Sequence, residues 1–574
     1  MADDPQVLRG IDWRETFPFT HIFRAFRIAI HPSKLILALA AVLCLYFGGR
    51  ILDRVWAPSQ RAVPREIELY EQSSSNDSFV KAREAARDAA AVEYAGLLKQ
   101  VADAKLRGQA DGEWAKLAND DGARLAAARN GEHQKDVRYW IKTQARAAAA
   151  DFQNVKNNAP DYEQRRQGLR EAFAQAAAQS EVVDSVSGRG LFAVFFHYQR
   201  LQVDKVAAAV ISNNWLGGLG NVGGGDGVYK SAFKFFTGAP AWAVQYHWFY
   251  FLLYGALFLV VWSLFGGAIA RIAAVQVADE GKRLSMRQGL SFAASKFLSF
   301  LSAPLIPAII VVGIGLVVAI IAGVAFGVFV LDWAVGALYF LALAAGFVMT
   351  LVILGTAGGL NLMYPTIAVE GSDSFDAISR SFSYVYSRPW RMLWYTTVAL
   401  AYGAICYLFV RLFIWLMIVL AHASVGLLVF WRQADNLDAL WPVIQPLSGG
   451  WALPTPINWH ALNWYTGLTA WLVAIWVYLT VAMLGAFAIS FYFSASTIIY
   501  YLIRRDADAT EMDDVYLEQP EEDFAETVPP VPAEIPANGA ATAEPATTAA
   551  TSESAASADA AASPEAGSSS AQAP

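Results

Sequence analysis

Six long runs of apolar residues are the feature that most restricts how this chain of 574 residues can fold. A helix that crosses a membrane needs about 20 mostly apolar residues, and its backbone polar groups must find their partners inside the segment. The runs predict transmembrane helices at about 34–52, 244–270, 297–330, 334–363, 392–431 and 462–503. The predicted fold class is therefore an all-α, polytopic helical membrane protein with about six transmembrane helices.

The composition excludes other classes of chain. Apolar residues make up 56% and charged residues 16%, which is too apolar for an ordinary soluble domain or for a disordered chain. Both cysteines, Cys44 and Cys406, lie inside apolar runs, which excludes a disulfide framework and favours inert packing roles.

The run at 392–431 can be read as one helix or as two spans. As one helix it would be roughly twice as long as the hydrocarbon core is thick. We expect one helix that projects beyond the membrane, because no proline and no pair of glycines lies near its middle. A second crossing would also place Arg504 and the acidic tail on the outer side of the membrane. The run at 462–503 is of similar length and would project beside it.

The distribution of basic residues predicts the orientation. No Lys or Arg occurs at 297–379 or at 433–503. The basic residues gather at the alternate connections: Arg14, Arg24, Arg27, Lys34, Arg271, Lys282, Arg283, Arg287, Lys296, Arg380, Arg388, Arg391, Arg504 and Arg505. Since short cytoplasmic loops are enriched in Lys and Arg, we expect both termini in the cytoplasm and residues 53–243 outside. The location expected is the cytoplasmic membrane of a bacterial-type cell, with the first run as an uncleaved anchor.

Three segments lie outside the predicted spans. Residues 1–33 form a cytoplasmic lead, read either as an interfacial amphipathic helix or as a solvated segment. Its apolar residues at helical spacing are Phe19, Phe23, Phe26 and Ile30. Residues 53–243 form an extracytoplasmic, Ala-rich domain, and the thin apolar stripe of three or four helices between 79 and 182 favours hairpin or coiled-coil packing. Its helices are expected to break near 108–112, 130–131 and 157–160.

The segment 506–574 differs in charge from everything before it. It contains 15 of the 50 acidic residues and no Lys or Arg, so the rest of the chain carries 35 acids against 43 bases. It is rich in Ala, Pro, Ser and Thr and lacks the apolar residues of a core, which predicts a disordered acidic cytoplasmic tail.

A repeat is visible in the membrane domain at 244–505. Gly266-Gly267 is followed by Glu280-Gly281, and Gly358-Gly359 is followed by Glu370-Gly371. Each Glu-Gly pair precedes a serine-rich stretch that leads into an outward span, so the unit would be helix, elbow helix, helix. Two units in the same orientation indicate a parallel repeat, and the alternative is chance similarity of simple sequences. The predicted apolar faces are Leu290, Ala293 and Phe297 in the first elbow, and Phe375, Ile378, Phe382 and Val385 in the second.

The second elbow carries a family resemblance. The residues concerned are Pro365, Glu370, Gly371, Ala377, Ile378, Ser381, Arg388, Pro389 and Trp390. With them, about 249–505 resembles a broad set of uncharacterised multi-pass bacterial membrane proteins that are distantly similar to the membrane domain of glycerophosphodiester phosphodiesterases. The resemblance implies a helical membrane module that can accompany a catalytic domain. No stretch of this chain resembles the phosphodiesterase barrel, so no activity carries over.

Two ionisable residues are candidate functional residues. Arg411 interrupts an apolar run, and it would either contact an anion or lipid headgroup or extend its charge to the interface. Glu370 lies with Asp373 and Asp376 near Arg380. These acids would either stabilise the N-terminus of the elbow helix through its dipole or coordinate an ion.

Other motifs favour structural roles. Gly218-x-Gly220-x-x-Gly223 lacks the preceding strand of a dinucleotide site and is read as a loop. The seven histidines (His21, His31, His133, His197, His247, His422 and His460) lack metal-ligand spacing. Gly323-x-x-x-Gly327 and Gly355-x-x-x-Gly359 favour close packing between the third and fourth spans over dimerisation. No catalytic residue, cofactor or metal site is predicted.

These observations give three hypotheses of function. The first is an envelope scaffold or binding module without a catalytic site, whose partners are the lipid bilayer and a protein bound by the helical domain or the acidic tail, with no nucleic acid. The second is a transporter or channel that uses the repeated helix pairs of 249–431. The third is a lipid-processing enzyme at the membrane interface, and it is supported only by the family resemblance.

Overall fold

The computed structural model describes residues 17–57, 60–106, 112–153, 160–215, 217, 226–279, 282–326, 332–429 and 464–516. Their regular structure is helical, apart from one isolated antiparallel bridge between Ala62 and Arg189. This confirms the all-α fold class. The predicted disordered tail lies outside the described residues from 517 onward, whereas 506–516 are folded.

Six helices in the described part of the chain are long and apolar enough to cross a membrane, as the sequence predicts. Their bounds are Pro32–Val55, Val228–Ala278, Phe297–Val324, Gly336–Glu370, Pro389–Val425 and Gly467–Asp508. The fifth is one continuous helix, which agrees with the reading of 392–431 as a single span. The second begins 16 residues before the predicted start at 244 and bends at His247, whose φ of −136° is not helical.

Seventeen helices are described below by their order in the chain. A 3₁₀ turn at Pro18–Phe23 is followed by α1 (Arg24–Ala29) and α2 (Pro32–Val55). Next come α3 (Glu66–Gln72), α4 (Asn76–Leu106), α5 (Gly112–Asn119), α6 (Asp121–Asn130), α7 (Gln134–Gln153), α8 (Tyr162–Ser187) and α9 (Leu191–Ile211). The remaining helices are α10 (Val228–Val261), a π turn (Trp262–Gly266), α11 (Gly267–Ala278), α12 (Met286–Ser295), α13 (Phe297–Phe326), α14 (Asp332–Glu370), α15 (Ser374–Ser387), α16 (Pro389–Val429) and α17 (Trp464–Asp508).

Helices α4–α8, called the insert here, have a hydrophobic core of their own. Tyr94, Leu98 and Val101 of α4 pack with Val137 and Ile141 of α7. The predicted break at 130–131 is correct, because Gly131 ends α6 in the left-handed conformation at φ 64°. The other two predicted breaks fall mostly outside the described residues. The insert has five helices where three or four were expected.

The repeat is present as two helix–elbow–helix units. The elbows are α12 and α15, and the end of the bundle where they lie is called the elbow end. Ser285 caps α12 through a capping box with Gln288, and Asp373 caps α15 by accepting from the Asp376 amide at 2.9 Å. Each elbow packs against the helix that precedes it.

The buried face of α15 agrees with the predicted one only in part, because Ile378 and Phe382 pack against the core whereas Phe375 does not. Ser374, Ala377, Ser381 and Tyr384 are buried, while Phe375 is 69% exposed. Small residues face the core here because the preceding helix α14 approaches closely. The predicted Phe382 and Val385 lie beside that face and cover glycines of α14.

The glycine motifs therefore serve a different contact from the one predicted. A Cβ at Gly355 would lie 3.0 Å from Phe382, and a Cβ at Gly359 would lie 3.2 Å from Ser381, so this motif packs against the elbow α15. A Cβ at Gly323 would meet no atom within 4 Å. The prediction that these motifs bring the third and fourth spans together is wrong for Gly323, Gly355 and Gly359, and Gly327 lies outside the described residues.

The described part of the N-terminal lead, residues 17–33, packs inside the helix bundle. Ile22, Ala25 and Ala29 are buried against α17 and the neighbouring helices. Of the predicted apolar face, Phe19 and Phe26 pack against this core, whereas Phe23 and Ile30 are 46% and 45% exposed. The predicted face is therefore buried only in part. Lys34, predicted to flank the first span, is fully buried and donates to Gln276 at 2.8 Å.

Candidate intramembrane cavity and its polar surroundings

A cavity of about 440 Å³ lies between two groups of helices. One wall comes from α9 and the first half of α10, and the other comes from α14, α16 and α17. The lining residues of these walls include Val203, Ala207, Phe236, Asn361, Leu400, Ala404 and Phe491. The volume falls within the range of roughly 300–1,000 Å³ that is typical of ligand pockets.

The cavity lining is almost entirely apolar. Its lining residues include no acidic or basic side chain, and five carry a polar group: Asn361, Thr396, Tyr407, Tyr492 and Ser496. The Oδ1 atom of Asn361 is buried and accepts no hydrogen bond from the described residues. Such a lining suits an apolar ligand and offers no hydrated path for an ion.

Arg411 lies beside this cavity, on the far part of α16 from the elbow end. Its side chain is 1% exposed, and its Nη2 atom lies 2.8 Å from Oδ1 of Asp204 on α9. The hydroxyl of Tyr407, which lines the cavity, is a further partner of the guanidinium. Arg411 is therefore a buried, ion-paired residue and does not extend its charge to an interface. The pair fixes α9 onto α16.

A second polar clamp joins α2, α9 and α10. Asp53 at the end of α2 accepts the backbone N–H groups of Phe192 at 2.9 Å and Ala193 at 3.1 Å, so it caps α9. The Tyr250 hydroxyl donates to the same carboxylate at 2.7 Å. Gly190 leaves room for this approach, because a Cβ there would overlap Asp53.

A third cluster surrounds Glu66, which is 1% exposed at the start of α3. Its carboxylate accepts the Val63 amide at 2.7 Å and the Trp242 indole N–H at 3.3 Å, and Nε2 of His247 lies 3.5 Å away. Burial by itself would raise the pKa of this carboxyl, but the hydrogen bonds and the His247 charge outweigh it, and the pKa is lowered. His247 is the residue at which α10 bends.

Glu370 lies in a charged cluster at the elbow end. Arg380 of α15 contacts it at 2.8 Å, Arg504 of α17 contacts it at 3.3 Å, and the Tyr500 hydroxyl donates to it. The segment after α17 covers this cluster, because the Tyr516 amide donates to the Val369 carbonyl at 2.8 Å. These contacts hold α14, α15 and α17 together. Glu370 therefore pairs with two arginines, in addition to the role at the helix N-terminus that was predicted for the acids of this elbow.

The two candidate residues are therefore in different places. Arg411 and Glu370 lie on opposite sides of the cavity along the bundle, and neither lines it. Asp373 caps α15, and among the described residues no group of His, Cys, Asp and Glu is placed to hold a metal ion. The glycines at 218, 220 and 223 lie outside the described residues, as does His460. Cys406 is buried and Cys44 is exposed.

Sequence reasoning missed Asp204, Lys34 and the cavity. An acid in the middle of the mostly apolar helix Leu191–Ile211 is the signal that could have paired Asp204 with Arg411. The cavity leaves no such signal, because its walls are ordinary apolar residues from five helices.

Comparisons with protein-family models, with curated proteins and with solved structures found no match for this chain. The geometry described above is therefore the basis for the functional argument.

Proposed function

We propose that this protein is a scaffold or binding module of the cytoplasmic membrane, without a catalytic site. Both termini would lie in the cytoplasm, and residues 53–243 would lie outside. The helical insert would bind a protein partner, and the membrane helices would hold it in a fixed position. The resemblance of about 249–505 to the membrane domain of glycerophosphodiester phosphodiesterases stays a prediction.

One observation carries the proposal: the insert has a hydrophobic core of its own and is held at its base by hydrogen bonds. The chain enters and leaves it at Ala62 and Arg189, whose backbones exchange hydrogen bonds of 3.0 and 2.8 Å. The Asp53 clamp follows directly on α9. A domain with its own core, held at its base by buried polar contacts, is suited to present a surface and keep its orientation to the membrane.

The topology is tested by cysteine labelling of intact cells. Cys44 and Cys406 are first replaced by Ala, and Ser73→Cys and Ser552→Cys are then made separately. We expect a membrane-impermeant thiol reagent to label the variant at 73 only. Labelling at 552 from outside, or protection of 73 until the cells are opened, contradicts the proposed orientation.

The binding role is tested by photo-crosslinking in cells. A photoreactive phenylalanine is placed at Tyr139 of the insert, which is 73% exposed, and at Tyr339 of α14, which is 57% exposed, as the control. We expect a discrete protein adduct from position 139 and none from 339. If position 139 and neighbouring exposed positions give no adduct, the insert is not a binding surface and the proposal fails.

A transporter of an apolar solute is the second candidate, and the cavity between the α9–α10 wall and the wall of α14, α16 and α17 favours it. Reconstituted vesicles distinguish the two functions. Solute flux that is lost on Arg411→Ala would support transport, and vesicles without flux together with a crosslinked partner would support the scaffold.

A further inference from the structure

The cavity opens toward the surface that faces the lipid. Leu400 and Phe236 belong to its lining, and they are 70% and 74% exposed on the outside of the bundle. The neighbouring Ala404 is exposed as well. These residues belong to helices that the structure assigns as candidate membrane spans. The opening therefore leads to the hydrocarbon of the bilayer rather than to water.

The interior walls match a hydrocarbon chain. Val203, Val206, Val210 and Phe235 form one side, and Ala488 and Phe491 belong to the other. The absence of charged groups from the lining excludes a headgroup-sized anion from the interior, because a charge needs paired or hydrogen-bonding partners there. Arg411 is engaged with Asp204 and does not enter the lining.

An empty cavity of this size would be unfavourable. Between lipid tails and protein there is little hydrophobic driving force, so association in the membrane depends on close packing. Wall atoms that face a void lose dispersion contacts, and a flexible chain from the surrounding lipid can restore them. Lateral entry requires no movement of a polar group through the bilayer.

We propose that the cavity binds one acyl chain of a membrane phospholipid, which enters between Leu400 and Phe236 while its headgroup stays outside. The Asp204–Arg411 pair holds the α9–α10 wall of the site in place. This inference does not depend on the scaffold function. It places α9 and the first half of α10 beside the hydrocarbon, so that the insert, and not the whole of residues 53–243, would lie outside the membrane.

The test uses the full chain in vesicles of phosphatidylethanolamine and phosphatidylglycerol. A trace of phosphatidylglycerol carries a diazirine at the end of one acyl chain, and irradiated protein is digested and analysed by mass spectrometry. We expect adducts concentrated on cavity residues of α16 and α17, such as Ala404 and Phe491. Adducts spread evenly over the lipid-facing residues would show ordinary surrounding lipid and would overturn the proposal.

A matched pair of variants makes this outcome specific. Ala404→Phe fills the cavity, whereas Ala401→Phe adds the same bulk to an exposed residue of α16 that does not line it. We expect a several-fold loss of cavity labelling for the first variant and none for the second. Equal labelling in both variants overturns the site. Thermal unfolding confirms that each variant folds, and Ala488→Phe replaces Ala404→Phe if that variant does not.

Two further arms identify the ligand. Asn361→Leu removes the polar group that accepts no hydrogen bond, and labelling should persist because an acyl chain has no donor for it. Loss of labelling would indicate a ligand with a hydrogen-bond donor and would overturn the acyl assignment. A diazirine fatty acid should label the cavity less than the phospholipid does, and the reverse order would overturn the phospholipid as the source.

Discussion

Arg411 of α16 and Asp204 of α9 form an ion pair at 2.8 Å, although 207 residues separate them in the chain. The guanidinium is 1% exposed, whereas the carboxylate is 31% exposed. Loss of the partner should therefore destabilise the buried arginine more than the partly exposed aspartate. Without Asp204 the buried cation loses its carboxylate, whereas without Arg411 a carboxylate that is already partly exposed loses its cation.

We predict that Asp204→Asn destabilises the protein more than Arg411→Gln. Breaking a buried pair costs about 3–5 kcal/mol, and Asp204→Asn should approach the lower value because Tyr407 still contacts Arg411. Arg411→Gln should cost clearly less. The free energy of unfolding in detergent micelles measures both, and the double variant gives the coupling between the sites.

The control for this prediction is the exposed pair Arg138–Asp184 at 2.6 Å in the insert. Asp184→Asn should change stability by no more than about 0.5 kcal/mol, because exposed ion pairs contribute little. Equal effects of Asp184→Asn and Asp204→Asn would mean that burial of Arg411 has no energetic consequence.

Asp53 should matter more than an ordinary helix cap. Asp53→Ala removes the cap of α9 and also leaves the buried Tyr250 hydroxyl with only the 3.4 Å contact to the Gly49 carbonyl. We expect a loss of about 2–3 kcal/mol from the two effects. Asp120→Ala is the matched variant, because Asp120 caps α6 on the exposed surface. It should cost about 1 kcal/mol. Chemical denaturation of both proteins compares them, and equal losses would contradict the clamp.

The first elbow should be sensitive to the smallest added side chain. A Cβ at Gly289 of α12 would lie 2.8 Å from Ile272 and 3.2 Å from the Ala268 carbonyl. Gly289→Ala should therefore lower stability by about 1–3 kcal/mol, because the backbone of α11 cannot move aside easily. Gly323→Ala meets no neighbour and should be neutral or slightly stabilising. Melting temperatures in one detergent test the pair, and an unchanged value for Gly289→Ala would show that the elbow is loosely packed.

The features that the sequence predicts correctly depend on local patterns. Each of the six spans is a continuous apolar run, so its length and composition identify it without knowledge of its neighbours. Asp373 lies directly before the second elbow, where the sequence predicts an acid that stabilises the N-terminus of the helix. The bend at His247 has no proline beside it, so the sequence does not indicate it. The start of the same long helix at Val228 was missed as well.

The features that escaped prediction depend on distant partners. Gly355 and Gly359 have the spacing of a helix–helix contact, but the sequence does not show that the partner is the elbow α15 instead of α13. Arg411 was recognised as unusual, yet its environment is decided by Asp204 in a helix that was assigned to the domain outside the membrane. The cavity arises where five helices fail to fill the space between them, and no residue type marks such a place.

The Glu66 cluster predicts a dependence of stability on acid. The pKa of Glu66 is lowered in the folded protein, where His247, Val63 and Trp242 contact its carboxylate. Since the folded pKa lies below the unfolded value, the ionised group contributes stability above the ordinary carboxyl pKa of 4.5. That contribution should disappear as the pH falls below this value and passes through the folded pKa. Glu66→Gln should be less stable than the wild type near pH 7, and the difference should narrow on acidification. Unfolding free energies of both proteins from about pH 7 to about pH 3 measure it, and a difference that stays constant or grows in acid contradicts the lowered pKa.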